Sequence, residues 1–141
     1  MDQVSFIKAI IAARVLQLYY HYCHNLVTGP TFLQDHEMFG GFYASVENDY
    51  DALVEYLIAT LGNKAIETKA VNQLLMKQLT AIQVESMSAE DMFSKGLELE
   101  DELYSAIRIL DAKGSIGVKN LIGDIAQKSD VRQYKVQQRL Q

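Results

Sequence analysis

The sequence is poor in residues that break helices or cross-link chains. Its 141 residues include one cysteine, one proline and no tryptophan. The lone Cys23 excludes an intrachain disulfide and fits a reducing compartment. The lone Pro30 leaves the rest of the chain free to form long helices. No run of about 18 uncharged apolar residues occurs, which excludes a membrane-spanning helix, and the N-terminus shows no signal-peptide pattern. We therefore expect a soluble cytoplasmic protein.

Positive charge is also scarce. The formal net charge is −5, and Lys8 and Arg14 are the only basic residues before Lys64. This balance argues against a protein that binds nucleic acid over its whole surface. Apolar residues make up 49% of the chain, which is enough for a hydrophobic core. At this length we expect one domain, residues 1–141.

Apolar residues recur at spacings of three and four in four long segments, which predicts four long helices. The first covers residues 2–28 and ends at Gly29-Pro30, where glycine permits a left-handed conformation and proline cannot continue the helix. Its apolar face is wide, so we expect a neighbouring subunit to cover part of it. The second covers residues 31–61, with Thr31 as N-cap and Gly62 as its stop.

The other two long helices lie in the second half of the chain. One begins at residues 88–91, which resemble a capping box, and continues to residue 113. The last is capped by Ser115 and runs towards the C-terminus. Between the two pairs, residues 66–82 predict a short helix within a long crossover. The fold class is thus all-α, an up-down-down-up bundle with a long BC crossover. Periodicity alone does not separate a ferritin-like bundle from other long-crossover bundles.

Metal-binding side chains concentrate in residues 21–55. This stretch contains all three histidines (His21, His24 and His36) and ends with Asp51 and Glu55, one helical turn apart. Imidazole with carboxylate suits Fe(II), with Zn(II) and Mn(II) as competitors. The chain has no Glu-x-x-His motif, so we do not expect a di-iron site inside one bundle. The ligands must be gathered in another way.

The run HNLVTGPTFLQDHEMFGGFYASVENDYDALVEYLIATLG resembles the Dps-type mini-ferritins, a ferritin-like family that protects DNA in starved cells. The family pattern has a histidine near the end of the first helix, then a Gly-x-x-Phe turn, a His-Glu pair, and D-x-x-x-E in the second helix. His24 matches the first histidine, and residues 29–32 match the turn. The pair is His36 with Glu37, and the closing acids are Asp51 and Glu55.

This resemblance implies a function and an assembly. The family forms hollow dodecamers built from two-fold dimers, and oxidises Fe(II) at ferroxidase sites between subunits, with peroxide or oxygen as oxidant. It stores the ferric mineral inside. His24 and His36 would come from one chain and Asp51 and Glu55 from its partner. Helical spacing agrees, because His36, Asp51 and Glu55 share one face of the second helix.

The sequence also departs from the family pattern. Gly40 stands where the family has an aspartate ligand, Asn25 replaces a common tryptophan, and a lysine-rich N-terminal extension is absent. Glu47 lies on the same helical face, and we expect it to use the room left at Gly40 as a compensating ligand. Two alternatives remain: a non-catalytic structural member of the fold with a degraded metal site, or a DNA-compacting protein without ferroxidase activity.

Three further features have ordinary explanations. The acidic run Glu98, Glu100, Asp101 and Glu102 is typical of a solvated helix face, with a mineral-nucleating cavity wall as the alternative. Five basic residues make the last helix a modest DNA-binding candidate or a solvated surface; they are Lys119, Lys128, Arg132, Lys135 and Arg139. We expect His21 to be a surface or supporting residue, and the tyrosines to pack rather than carry electrons.

Overall fold

A computed structural model describes residues 2–141 and confirms the all-α ferritin-like bundle. Five α-helices follow one another with short 3-10 turns at Asn63–Ala65 and Val84–Ser86. The helices are α1 (Gln3–Leu26), α2 (Phe32–Leu61), α3 (Thr68–Thr80), α4 (Ala89–Lys113) and α5 (Ile116–Arg139). The four long helices and the crossover helix α3 agree closely with the predicted segments. No helix in this part of the chain is long and apolar enough to cross a membrane.

Contacts between helices define the up-down-down-up order. Tyr19 of α1 donates to the Met92 carbonyl, whereas Phe6 shares a cavity with Leu110, so α1 and α4 run antiparallel. In the same way, the N-terminal part of α2 contacts the end of α5 through Asp35 and Arg139. A tight turn joins α1 to α2 and another joins α4 to α5, so each of these pairs is antiparallel. Helices α2 and α4 therefore run in the same direction, and the long crossover connects two parallel helices, as in a ferritin-like bundle.

Capping explains most of the helix ends. Ser88 and Asp91 form the predicted capping box at the start of α4, and Ser115 accepts the amide of Val118 at the start of α5. Thr31 precedes α2, but its side chain makes no cap hydrogen bond. Its hydroxyl donates instead to the carboxylate of Asp35 at 2.8 Å. Thr31 is therefore the N-cap of α2, as predicted, but the capping hydrogen bond expected of its side chain is not formed.

The core is a continuous cluster of apolar side chains around α1. The largest buried members are Tyr19, Tyr20, Phe6, Phe39, Phe93 and Leu16. Part of the wide apolar face of α1 is covered within the chain, because α3 packs against α1 and buries Val71 and Leu75. Some apolar side chains of α1 and α5 lie at the surface instead: Val4, Tyr22, Ile116, Val131 and Tyr134 are exposed.

Candidate metal centre

The two histidines of the family pattern meet at the hairpin between α1 and α2. His24 lies in the last turn of α1 and His36 in the first turns of α2. The chain reverses between them at Gly29, whose φ of +113° few residues other than glycine adopt. This short turn brings two residues twelve positions apart into direct contact, as the sequence pattern indicated.

The imidazoles hold each other through reciprocal hydrogen bonds. His24 Nδ1 lies 2.7 Å from the carbonyl oxygen of His36, and His36 Nδ1 lies 2.6 Å from that of His24. A carbonyl only accepts, so each Nδ1 donates its proton, and in the neutral ring the lone pair is then on Nε2. Metal-binding histidines are commonly oriented by such a bond. Both Nε2 atoms thus suit metal coordination, and within residues 2–141 neither has a hydrogen-bond partner.

Stacking fixes the rings further. The His24 and His36 rings are 3.8 Å apart between centroids and nearly parallel. Tyr43 packs edge-on against His24. The ring of His21 stacks against Tyr43, with 4.1 Å between the centroids of the His21 and Tyr43 rings. Two rings held by packing and by hydrogen bonds to a rigid backbone are preorganised, so binding a metal costs them little side-chain entropy.

Gly40 lies directly beneath the His24 ring. A Cβ at Gly40 would approach His24 Nδ1 to 3.0 Å and Cε1 to 3.1 Å. The imidazole therefore occupies the space in which a side chain at this position would begin. Within one chain this ring, rather than Glu47, fills the room left at Gly40, and the role of Glu47 as a compensating ligand stays a prediction.

The acidic residues lie far from the histidines within one chain. Asp51 and Glu55 are exposed on α2. With a rise of about 1.5 Å per residue they stand roughly 22 and 28 Å from His36 along the helix. Accordingly, residues 2–141 contain no cluster of three His, Cys, Asp or Glu side chains able to hold a metal ion. The two histidines and the two acids therefore lie towards opposite ends of α2.

These acids have no cation of their own. Among the described residues, neither Asp51, Glu55 nor Glu47 forms an ion pair. Glu47 is also exposed, about one turn before Asp51. The exposed face of α2 thus presents carboxylates whose charge is balanced only by solvent. Small residues, among them Gly41 and Ala44, lie on the same exposed face.

Sequence reasoning missed a buried ionic network inside the bundle. Glu100 was predicted to face solvent, but it is fully buried and its carboxylate binds Arg132 at 2.8 and 3.0 Å. Ser129 donates to Glu100 at 2.9 Å, and Tyr20 donates to it at 2.7 Å. Burial and the neighbouring Glu100 raise the pKa of Tyr20 well above its ordinary value, so the phenol remains a donor.

The network continues to α2. Lys128 donates to Asp49 Oδ1 at 2.8 Å, whereas Asp49 Oδ2 has no hydrogen-bond partner and lies 3.8 Å from Arg132. Burial raises the pKa of Asp49, although Lys128 and Arg132 oppose this shift. The position of Glu100 in the sequence could have indicated its burial, because it is three residues from both Leu97 and Leu103, on the apolar face of its helix. The guanidinium of Arg132 and the ammonium of Lys128 thus serve as the cations of these buried carboxylates.

The basic last helix offers little free charge. Lys128 and Arg132 pair within this network, and Arg139 binds Asp35 at 2.9 and 3.0 Å. Only Lys119 and Lys135 remain of the predicted DNA-binding patch, and both are exposed. Cys23 is buried, as expected, and burial raises the pKa of its thiol to about 12.

Comparison with known proteins supports the architecture. No protein-family model matches the sequence, and no curated protein matches it. The X-ray structure of Dps from Thermosynechococcus elongatus superposes on the chain with a TM-score of 0.81. The alignment covers 99% of this chain and 89% of that one, at 18% sequence identity. This chain therefore has a Dps-type ferritin-like fold.

Proposed function

We propose that the protein is a mini-ferritin that binds Fe(II) between two copies of the chain, oxidises it, and stores the ferric product in a closed shell. The observation that carries this proposal is the hydrogen-bonded pair His24 and His36, whose Nε2 atoms are both free and oriented. Asp51 and Glu55 of a second copy supply the oxygen donors. The physiological setting is cytoplasmic protection against oxidative damage.

Antiparallel pairing of α2 with its copy completes the site. The histidines and the acids form two half-sites at opposite ends of one helical face. A two-fold axis near the middle of α2 therefore places the imidazoles of one copy next to the acids of the other. Each dimer then has two equivalent sites. Gly41 and Ala44 lie between the half-sites and allow the two helix backbones to approach closely. Six such dimers would form the dodecameric shell of the family.

The residues have distinct chemical roles. The imidazole nitrogens bind Fe(II), and the carboxylates bind it and favour the ferric product, because harder oxygen donors prefer the higher charge. Two Fe(II) ions lose one electron each, and hydrogen peroxide takes up both electrons with two protons to give two molecules of water. Ferric ion then hydrolyses to mineral and releases protons. Consuming Fe(II) and peroxide together suppresses hydroxyl radical formation.

One observation favours a second candidate, a non-catalytic member of the fold. The family aspartate is absent at Gly40, and the His24 ring occupies its place. A site with one ligand fewer would bind Fe(II) without oxidising it rapidly. The DNA-compacting alternative has less support, because three of the five basic residues of α5 are held in ion pairs within the chain.

Mixed dimers test the shared site. One chain carries His24→Ala with His36→Ala, the other carries Asp51→Ala with Glu55→Ala, and the two are co-expressed with different affinity tags. A mixed dimer contains one site with all wild-type donors and one with none. We expect about half the wild-type Fe(II) stoichiometry in the mixed dimer and almost none in either parent, measured anaerobically by calorimetry.

The controls separate binding, catalysis and assembly. Asp101→Ala with Glu102→Ala removes two exposed acids from α4 and should leave binding unchanged. Adding peroxide to loaded wild-type protein and following ferric absorbance distinguishes the ferroxidase from the non-catalytic candidate. Full Fe(II) binding by the parent that lacks both α2 acids would overturn the shared site, and a wild-type protein that binds no Fe(II) would overturn the proposed function.

A further inference from the structure

A cavity lies at the end of the bundle where α1 and α5 begin and α2 and α4 end. Its volume is about 320 Å³, close to the lower limit of typical ligand sites. The candidate metal centre lies at the other end of the bundle, where α1 ends and α2 begins. All four long helices line the cavity, through residues that include Phe6, Tyr56, Leu110 and Val118. A small ligand bound there would contact every long helix.

The walls of this cavity are apolar and partly aromatic. Phe6, Leu110 and Val118 are buried, whereas Ile109 also lines the cavity and is 47% exposed. The rings of Phe6 and Tyr56 are stacked, with an interplanar angle of 7° and 5.9 Å between centroids. Aromatic rings gain from offset stacking or edge-on contact with another ring. Parallel rings in a small volume therefore favour a compact, flat ligand over a long alkyl chain.

Three hydrogen-bond donors line the same cavity. The Tyr56 hydroxyl lies 3.4 Å from the Ser115 hydroxyl, which is too long for a strong hydrogen bond between two hydroxyls. Ser115 accepts the amide of Val118, so its own proton remains available to a ligand. The ammonium of Lys113 has one ion-pair partner among the described residues, Asp2 at 3.7 Å, which is beyond hydrogen-bond distance. These donors call for an acceptor that the chain does not supply.

The acid at this cavity is already engaged. One oxygen of Asp2 accepts the amide of Ser5 at 3.2 Å, and the other accepts the Ser5 hydroxyl at 2.5 Å, so the carboxylate caps α1. At the same end of the bundle, Lys64 and Lys119 are exposed and form no ion pair among residues 2–141, against one exposed acid, Asp111. The chain as a whole has a net charge of −5, so this end is the more favourable one for an anion.

We propose that this cavity binds a small aromatic carboxylate. The ring of the ligand lies against Phe6 and Tyr56, and its carboxylate accepts hydrogen bonds from Tyr56, Ser115 and Lys113. An anionic head group suits these donors, because hydrogen bonds to a charged group are stronger than those between neutral groups. The inference is independent of the proposed function, since no residue that lines this cavity belongs to the candidate metal centre.

Three probes of similar size separate the two parts of this recognition. Benzoate carries both the aromatic ring and the charge, benzamide carries the ring without the charge, and cyclohexanecarboxylate carries the charge without an aromatic ring. Saturation-transfer NMR and calorimetry measure their binding to the full-length protein in its native assembly. We expect benzoate to bind most tightly. Higher salt should weaken the binding of benzoate but not that of benzamide, because salt screens only the charged ligand.

Variants of the donors test the assignment of the head group. Tyr56→Phe keeps the ring and removes the hydroxyl, and should weaken benzoate binding about tenfold, as expected for a lost hydrogen bond to a charged group. Lys113→Met keeps the apolar stem, and should weaken benzoate binding about threefold, because an exposed ion pair contributes little. Lys119→Met is the matched control. It removes an exposed cation that does not line the cavity, and should bind benzoate as wild type does.

Circular dichroism and sedimentation establish that each variant remains folded and assembled. Benzamide or cyclohexanecarboxylate binding as tightly as benzoate would overturn the inference. So would benzoate affinities of Tyr56→Phe and Lys113→Met equal to that of Lys119→Met. If wild type binds none of the probes, the inference also fails. A change in assembly caused by Ile116→Asp, at an exposed apolar residue next to Ser115, would then assign this end of the bundle to contact with another copy of the chain.

Discussion

The interior of the bundle and the exposed face of α2 both carry acidic side chains, but among the described residues only the interior acids are paired with cations. Glu100 is buried and has Arg132, Tyr20 and Ser129 as donors. Asp51 and Glu55 are exposed and unpaired within residues 2–141. A carboxylate that already has its guanidinium holds no metal, whereas one without a cation is free to bind it. We therefore expect the proposed metal site to lie outside the bundle.

Removing the interior cation is the most severe test of this comparison. Arg132→Leu leaves Glu100 buried without its main partner, and breaking a buried ion pair in this way typically costs about 3–5 kcal/mol of unfolding free energy. Urea denaturation measures the loss. Lys135→Ala, an exposed cation on the same helix, should change stability by no more than about 0.5 kcal/mol.

A double variant shows whether the cost is ionic. Glu100→Leu combined with Arg132→Leu removes both charges and should be more stable than Arg132→Leu alone, because no charge is left buried and unpaired. If Arg132→Leu lost no more stability than the Lys135 control, the network would not be a structural element, and the contrast between interior and surface would disappear.

The adjacent glycines of α2 provide a second, smaller test on the outer face. A Cβ at Gly41 meets no other atom within 4 Å, so Gly41→Ala should stabilise the helix by about 0.5–1 kcal/mol. A Cβ at Gly40 would lie 3.0 Å from His24 Nδ1. Gly40→Ala must therefore move the ring, and overpacking of this kind typically costs about 1–3 kcal/mol.

The two glycine variants should consequently differ in sign. Urea denaturation at two protein concentrations separates effects on the fold from effects on assembly. The same close approach predicts that Gly40→Asp does not restore strong Fe(II) binding, because the new side chain displaces His24 from its bond to the His36 carbonyl. Equal stabilisation by the two alanine variants would show that the ring does not lie against Gly40.

Local rules in the sequence predicted most of the fold. Helix ends were predicted to within two residues from Gly29-Pro30, from the capping box that begins at Ser88, and from Ser115. These signals are reliable because glycine, proline and capping hydroxyls act within one turn of the helix. The network of Glu100 and Arg132 was not predicted, because it joins residues 32 positions apart whose type alone indicates the surface.

The candidate site was predictable only in part. The resemblance in residues 24–55 indicated that His24 and His36 belong together, and the structure places them in contact. Their reciprocal hydrogen bonds depend on the exact path of the hairpin, and the approach of His24 to Gly40 depends on how closely α1 and α2 pack. Neither follows from residue spacing. The proposed pairing of these histidines with Asp51 and Glu55 involves a second copy of the chain, so contacts within one copy do not determine it.

The smallest expected effect is on the pH dependence of stability at Asp49, the buried carboxyl whose Oδ2 has no hydrogen-bond partner. Burial raises the pKa of this carboxyl above its ordinary value near 3.8, so the folded protein binds the proton more tightly than the unfolded chain does. As pH rises from below the unfolded pKa through the raised folded pKa, Asp49 therefore makes a progressively less favourable contribution to stability.

Asp49→Asn has no such titration, and Lys128 keeps Asp124 as a partner at 3.0 Å. Urea denaturation of both proteins over a series of pH values should show the variant gaining on wild type as pH rises through this window, by less than the effects above. A constant difference at every pH would mean that Lys128 and Arg132 fully compensate the buried charge, and that the interior is as well neutralised at Asp49 as at Glu100.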